Sequence, residues 1–283
     1  MGFLLSTDFT PGLPVELAVG VRRLVAANGG MMTGPGTNTY LLGCERLVVL
    51  DPGPAIAGQV EAILQAVGAA TVTAIVVTHT HIDHSPAAHE LAKHLAVPLV
   101  GRLARYPEFQ DPHFVPTRHA EDGEHVDTDI GPLVAVATPG HASNHLCWHL
   151  PQQGYLCTGD HILGTVSPVI VHPDGDLTAY LDSLRRVAAL APQVLLPGHG
   201  PALPDPQPTI DRLIAHRLLR EQRVLNALAS GACLQVDTIL PRVYADVPPV
   251  LHAVARLTLL AHLVKLQRDG RVRACADDAW AIT

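Results

Sequence analysis

The stretch VVTHTHIDHSPAA, residues 76–88, places three histidines and an aspartate within six residues at the end of an apolar run. Imidazoles this close repel one another when protonated and pack poorly when neutral, so the cluster needs a partner that rewards it. A divalent metal ion is that partner, because histidine nitrogens and carboxylate oxygens together suit borderline ions. Three further turns carry the same ligand types, Thr138-Pro-Gly-His141, Thr158-Gly-Asp160 and Leu196-Pro-Gly-His199, each after a short apolar run. The mixed nitrogen and oxygen set favours Zn²⁺ over Mg²⁺ or Ca²⁺, with iron or manganese as alternatives. Two such ions roughly 3.5 to 4 Å apart lower the pKa of a shared water toward about 7. A metal-bound hydroxide then attacks at neutral pH without a serine or cysteine nucleophile, and Asp83 is placed to orient it. This chemistry hydrolyses a phosphodiester, a lactam, a lactone or a thioester.

The elements around these turns are those that would bring them together. Val76-Val77-Thr78 ends a buried strand and Pro86 suits the first turn of a helix, so residues 79–84 occupy a loop at the carboxyl end of a strand. There His79 and His81 point to one side, while Asp83 and His84 follow where the chain begins to coil. Strand–turn–strand patterns over 39–53 and 145–160 divide the chain into two similar β-rich halves. Helical spacing of apolar residues predicts helices over 56–69, 86–96 and 176–190. Short apolar runs at 74–77, 98–100, 133–137 and 194–196 predict buried strands. Two sheets packed together with helices outside satisfy this alternation. A proline-rich stretch over 201–208 predicts a hinge, after which helices over 209–229, 237–244 and 249–267 and a small hairpin complete a second unit. The predicted organisation is a body of residues 1–208 and a tail of residues 209–283.

Composition narrows the class. With 48% hydrophobic and 16% charged residues and a mean hydropathy of +0.23, the chain is globular, not disordered. No apolar stretch reaches the roughly 18 residues of a membrane span, and the opening MGFLLSTDF lacks the features of a secretory signal, so a cytoplasmic location away from membranes is expected. Five cysteines, Cys44, Cys147, Cys157, Cys233 and Cys275, form no CxxC pair and are expected as unpaired, buried hydrophobes in a reducing compartment. Charge divides at the predicted boundary. Residues 1–208 hold 9 basic and 19 acidic residues, a balance of −10, whereas residues 209–283 hold 10 and 7, a balance of +3.

The motif His79-Thr-His81-Ile-Asp83-His84, with His141, Asp160 and His199 in Gly-flanked turns at increasing distance, resembles the metallo-β-lactamase superfamily over nearly all of residues 20–205. Narrower matches at Gly34-Pro-Gly-Thr-Asn-Thr-Tyr, Leu50-Asp-Pro-Gly and Gly159-Asp-His-Ile-Leu-Gly look like the β-lactamase-like protein 2 group. The resemblance implies an α+β fold, a four-layer αββα sandwich with a small, helical, winged-helix-like C-terminal domain. It further implies that His79, His81 and His141 hold one ion and Asp83, His84 and His199 the second, with Asp160 between them. Asn38, Asp51 and His145 would orient ligands or substrate. Two departures, Pro86-Ala-Ala after Ser85 and His161 after Asp160, bear on substrate preference.

Animal members of that group are endoribonucleases, so single-stranded RNA ranks first as substrate and a small acyl compound (β-lactam, lactone or thioester) second. The iron-dependent oxygen chemistry found on the same sandwich fits less well, since its dinuclear form replaces the second motif histidine with Glu and this chain has His81. A DNA-binding regulator with an inert body is disfavoured by the complete ligand set. For RNA, the tail's Lys265, Arg268, Arg271 and Arg273 would contact phosphates. The apolar residues Leu257, Leu260, Leu263 and Leu266 would equally serve a homodimer contact.

Overall fold

The computed structural model describes residues 3–164 and 166–283. Its first sheet is laid down in chain order by β1 (Val15–Ala18), β2 (Val21–Val25), β3 (Asn38–Leu42), β4 (Arg46–Leu50), β5 (Thr71–Val76), β6 (Leu99–Gly101) and β7 (Arg118–His119). Strands β1 to β4 pair antiparallel, and β4 to β7 pair parallel. Helices α1 (Gln59–Val67) and α2 (Ala87–Leu95) make the crossovers between parallel strands. The second sheet has the order β12-β11-β10-β9-β8, from β8 (His125–Thr128), β9 (Gly131–Ala137), β10 (Leu146–Leu150), β11 (Tyr155–Gly159) and β12 (Val194–Pro197). Helix α3 (Leu177–Ala189) joins its last two strands, and the Asp176 carboxylate caps it by accepting from the Ala179 amide at 2.9 Å.

Side-chain alternation turns these strands into four layers. Tyr40 and Leu42 of β3 face the second sheet and pack with Leu146, Trp148 and Leu196, while Leu41 between them faces outward onto Ile63 of α1 and Leu91 of α2. Trp148 is fully buried between the sheets, and its indole N–H donates to the Val77 carbonyl at 3.0 Å, so this core position leaves no polar atom unsatisfied. On the far side α3 covers Val136, Leu156 and Leu195 of the second sheet. The result is the αββα sandwich with helices on both outer faces, as expected from the alternation of elements.

The tail comprises α4 (Pro206–Ala227), β13 (Leu234–Gln235), α5 (Val236–Val243), α6 (His252–Arg268), β14 (Val272–Ala274) and β15 (Ala279–Ile282), with the sheet order β13-β15-β14. Three sequence expectations change here. The predicted hinge over 201–208 is partly helix, because Pro206 opens α4 at a position where its missing N–H costs nothing. Residues Ile210 and Leu213 of that helix pack into the body against α3, so α4 belongs to both units. Cys233 and Cys275 are joined as a disulfide, which corrects the expectation of five unpaired cysteines. They lie 42 residues apart, and the pairing of β13 and β14 on either side of β15 brings them together. Finally, the helical segment Pro249–Arg268 is long and apolar enough to cross a membrane by length and composition, contrary to the expectation that no stretch reaches that length. Its Leu259, Leu263 and Leu266 are spent in the tail's own core with Trp280.

Candidate metal centre

Seven ligand-type side chains converge where the ends of β5, β9, β11 and β12 meet. His79 and His81 follow β5, and His141 follows β9. Their rings face one another, with His79 Nε2 at 2.9 Å and His141 Nε2 at 3.1 Å from His81 Nδ1. Asp83 and His84 continue the same loop, Asp160 follows β11 and His199 follows β12. Here His199 Nε2 lies 3.2 Å from Asp83 Oδ2 and 3.4 Å from Asp160 Oδ1, and His84 Nε2 lies 3.5 and 3.4 Å from the same two oxygens. Asp160 turns its other oxygen, Oδ2, toward His141 Nε2 at 3.7 Å. One carboxylate therefore reaches both groups, and within each group the donor atoms lie within 4.8 Å of one another.

In four of the five histidines the nitrogen that points away from the centre is occupied, which fixes the ring. Thr78 Oγ1 holds His79 Nδ1 at 3.0 Å, the Val169 carbonyl accepts from His141 Nδ1 at 2.8 Å, and the Gly36 carbonyl accepts from His199 Nδ1 at 3.2 Å. Asp51 holds His84 Nδ1 at 3.0 Å and accepts from the Thr78 amide and hydroxyl, both at 2.7 Å. Asp51 has a left-handed backbone, φ 48°, at the end of β4. That conformation is uncommon for a side chain other than Gly, Asn or Asp, and here it aims a buried carboxylate at two segments at once.

The donor set fits a pair of divalent cations. His84 Nε2, His199 Nε2 and Asp160 Oδ1 are buried without a hydrogen-bond partner, a costly condition unless a ligand completes it. A Cβ at Gly198 would come within 2.7 Å of both Asp160 Oδ1 and His84 Cε1, so only glycine leaves the space between those ligands open. Electrostatics agree. Burial, reinforced by His141, pushes the His81 imidazole down to about 3, and burial likewise holds His79 down. Both rings therefore present neutral lone pairs. In the second group burial opposes the charge on His199, but the Asp160 carboxylate raises it to about 10. Burial raises the Asp83 carboxyl, yet His84 and His199 bring it down to about 2. The two carboxylates thus hold His84 and His199 protonated, a positive charge whose place a metal ion would take.

The outer residues named from the sequence sit one step back. Asn38 is buried, and its amide donates to the Pro197 and Gly200 carbonyls at 2.8 and 2.9 Å, so it holds the turn that carries His199 and has no path to a substrate. His145 Nδ1 meets Thr138 Oγ1 at 2.9 Å and its ring lies 5.1 Å from that of His79. Its Nε2 has no partner, and neither ring nitrogen of buried His161 has one. Sequence reasoning missed Thr78, although it stands beside His79 in the motif, and Gly198 in the Pro-Gly-His turn.

It also missed the walls of the site. A cleft of about 250 Å³ opens on His141 and Asp160. Met31, Leu163, Val166 and Val169 line it from the body, and Tyr244, Val247, Leu251 and Val254 from the tail. Arg217 and Arg220 of α4 close one side. Nothing local in the sequence connects these segments, which meet only because α4 and α6 pack against the body. Three of the tail's four expected phosphate contacts lie beside carboxylates, Arg273 being the exception. Lys265 pairs with Glu221 at 2.9 Å and Asp269 at 2.7 Å, Arg268 pairs with Asp176, and Arg271 lies 3.9 Å from Glu221.

Comparison with known proteins follows the same lines. Residues 32–199 match the model of the metallo-beta-lactamase superfamily, and residues 236–280 match that of the beta-lactamase associated winged helix domain. The chain is 30% identical over 264 residues to a beta-lactamase-like protein 2 homolog of Caenorhabditis elegans, covering 92% of this chain and 88% of that one. It is 31% identical over 283 residues to the atrochrysone carboxyl ACP thioesterase of Aspergillus fumigatus, covering 93% and 86%. Among solved structures, a beta-lactamase domain protein from Burkholderia ambifaria superposes with a TM-score of 0.83 at 24% identity, covering 98% of this chain and 96% of that one.

Proposed function

Because the chain belongs to the metallo-beta-lactamase superfamily of hydrolases, we propose that it cleaves acyl thioesters whose acyl part has a large hydrocarbon or aromatic body. The observation that carries this reading is the cleft beside His141 and Asp160, walled by Met31, Leu163, Val166 and Val169 and by Tyr244, Val247, Leu251 and Val254. Such walls accept a hydrocarbon or aromatic acyl group, with Arg217 and Arg220 confined to one side. Internal pairing of Lys265 and Arg268 leaves fewer free cations for RNA than the charge balance of the tail implied. Relatives named as thioesterases point the same way.

In this reading His79, His81 and His141 would hold one divalent ion and Asp83, His84 and His199 the other, with the Asp160 carboxylate within reach of both groups. When bound, the ions supply Lewis acidity and ionise water near neutral pH, and zinc is the ion we expect. The residues do the rest. Thr78, Asp51, Val169 and Gly36 keep four of the five histidine rings, those of His79, His84, His141 and His199, aimed inward. The Asp83 side chain, 24% exposed, is the most open carboxylate of the cluster and would orient the attacking water. The carbonyl carbon gains the water oxygen and loses its bond to sulfur. A thiol leaves readily as a thiolate, since its pKa is near 8.5, so no separate acid is required on the leaving group.

The test is a panel on the zinc-loaded protein containing a naphthoyl thioester, nitrocefin, a homoserine lactone and single-stranded RNA. Thioester hydrolysis with the highest kcat/KM is the expected result. RNA cleavage with an inert thioester would return the endoribonuclease reading to first place.

A further inference from the structure

Arg217 projects from α4 into the same cleft as His141 and Asp160, and it is 3% exposed. Its Nη2 donates to the Pro168 carbonyl, its Nε has no partner, and its guanidinium carbon lies 5.2 Å from the centre of the Tyr180 ring. Among the described residues no carboxylate lies within salt-bridge distance of it. Its neighbour Arg220 differs in this respect, since the Asp246 carboxylate accepts from both of its terminal nitrogens at 2.6 and 3.1 Å. Burying a guanidinium without a counter-charge is expensive, and a protein tolerates it where a ligand brings the missing anion. A second polar group on the same cleft, the buried hydroxyl of Tyr244, also has no partner.

We infer that Arg217 and the Tyr244 hydroxyl form a subsite for a carboxylate carried on the acyl part of the substrate. The inference rests on the acyl-hydrolase reading and names the substrate class more narrowly. Charge selects the ligand. Among the described residues Arg217 is the cleft arginine with no carboxylate partner, because Asp246 pairs with Arg220 and with Arg223 outside the cleft, and His216 adds no charge: burial, with Arg217 and Arg220 beside it, pushes that imidazole down to about 4. One guanidinium fork matches one carboxylate, and a carboxylate on the acyl part would lie in the cleft that the acyl group fills. A site built around a buried charge rejects the uncharged analogue strongly, since the analogue leaves that charge unpaired.

The experiment uses the zinc-loaded protein and three thioesters of 2-naphthoic acid. Two are carried on N-acetylcysteamine and bear either a carboxylate or a carboxamide on the distal ring. The third, without a ring substituent, is carried on coenzyme A and tests phosphate on the thiol side. We expect KM for the carboxylate to be lower than for the carboxamide by about tenfold or more, and Arg217→Gln to bring the ratio close to one. Equal KM values in the unmutated protein overturn the inference. So does a preference for the coenzyme A ester over the N-acetylcysteamine carboxylate that Arg217→Gln removes, which would assign the anion to the carrier. Should Arg217→Gln not fold, Arg217→Lys retains the charge without the fork and is expected to show a ratio between the two. If no thioester is cleaved, the acyl reading fails separately, and fluorescence titration with 2-naphthoate decides the subsite. Binding weakened about tenfold by Arg217→Gln or Arg217→Lys supports it, and equal binding overturns it.

Discussion

Asp51 and Asp83 are both carboxylates next to His84, yet they have different duties. Asp83 faces the open side of the cluster, and Asp83→Asn keeps the size of the side chain while removing its charge and basicity. Loss of at least about 100-fold in kcat is expected, with the far-ultraviolet circular dichroism unchanged; near-normal turnover would show that another group orients the water. Asp51 never reaches the centre and acts through His84 Nδ1 and Thr78. Asparagine tolerates the left-handed backbone of this position, so Asp51→Asn isolates the charge from the geometry. It should weaken metal binding by about 10- to 100-fold, measured by competition with a chelator, because residues that orient ligands carry effects of that size. The seven donors are too many for one tetrahedral ion, so elemental analysis should find close to two ions per chain and His199→Ala about one. One ion per chain, unchanged in His84→Ala and His199→Ala, would sink the two-ion model.

The elements matter through how close they let the ligands come. Strand β12 ends at Pro197, and the Gly198 that follows passes against Asp160 and His84 without touching them only because it has no side chain. Gly198→Ala places a Cβ at 2.7 Å from both, and the φ at this position is ordinary, so any loss reports crowding of ligands and not backbone strain. The expected result is loss of the second ion and of activity, with a thermal midpoint of the metal-free protein close to that of the parent. Retention of two ions would mean that the β12 turn can shift outward at little cost. The loop after β5 makes the complementary contribution, since residues 79–84 give four of the seven ligands from one segment and α2, opening just behind Pro86, anchors it.

At the scale of the molecule the tail is a structural partner of the body. Ile210 and Leu213 of α4, with Ala261 of α6, pack into the layer beneath α3, and Tyr244 and Val247 complete the cleft. Leu213→Ala should therefore destabilise the whole chain by about 2–5 kcal/mol, seen as one shifted unfolding transition, and not loosen the tail alone. The Cys233–Cys275 disulfide closes a 42-residue loop within the tail. Chain-entropy arguments give such a closure about 4 kcal/mol. Thermal unfolding with and without a reductant should differ accordingly, and an unchanged midpoint in Cys233→Ser would show that the bond contributes little to the folded state.

The ligand set was legible because each member sits in a local motif. A histidine-rich loop after a strand and three Gly-flanked turns show their residue types in the sequence, and β-strands with an alternating pattern fix which face of each sheet is buried. The helices of the tail were legible for the same reason, from spacing over a few turns. Three features depended on contacts between residues far apart. Asp51 reaches Thr78 and His84 across 27 and 33 positions. Cys233 meets Cys275 only through the register of β13, β15 and β14. The cleft exists only where α4 and α6 dock on the body, so its apolar walls and the buried Arg217 leave no local pattern in the chain. The sequence by itself determined the chemistry of the centre, because ligand type is a property of single residues. The tertiary structure decided what can approach that centre, because a cavity is shaped by which distant surfaces pack together.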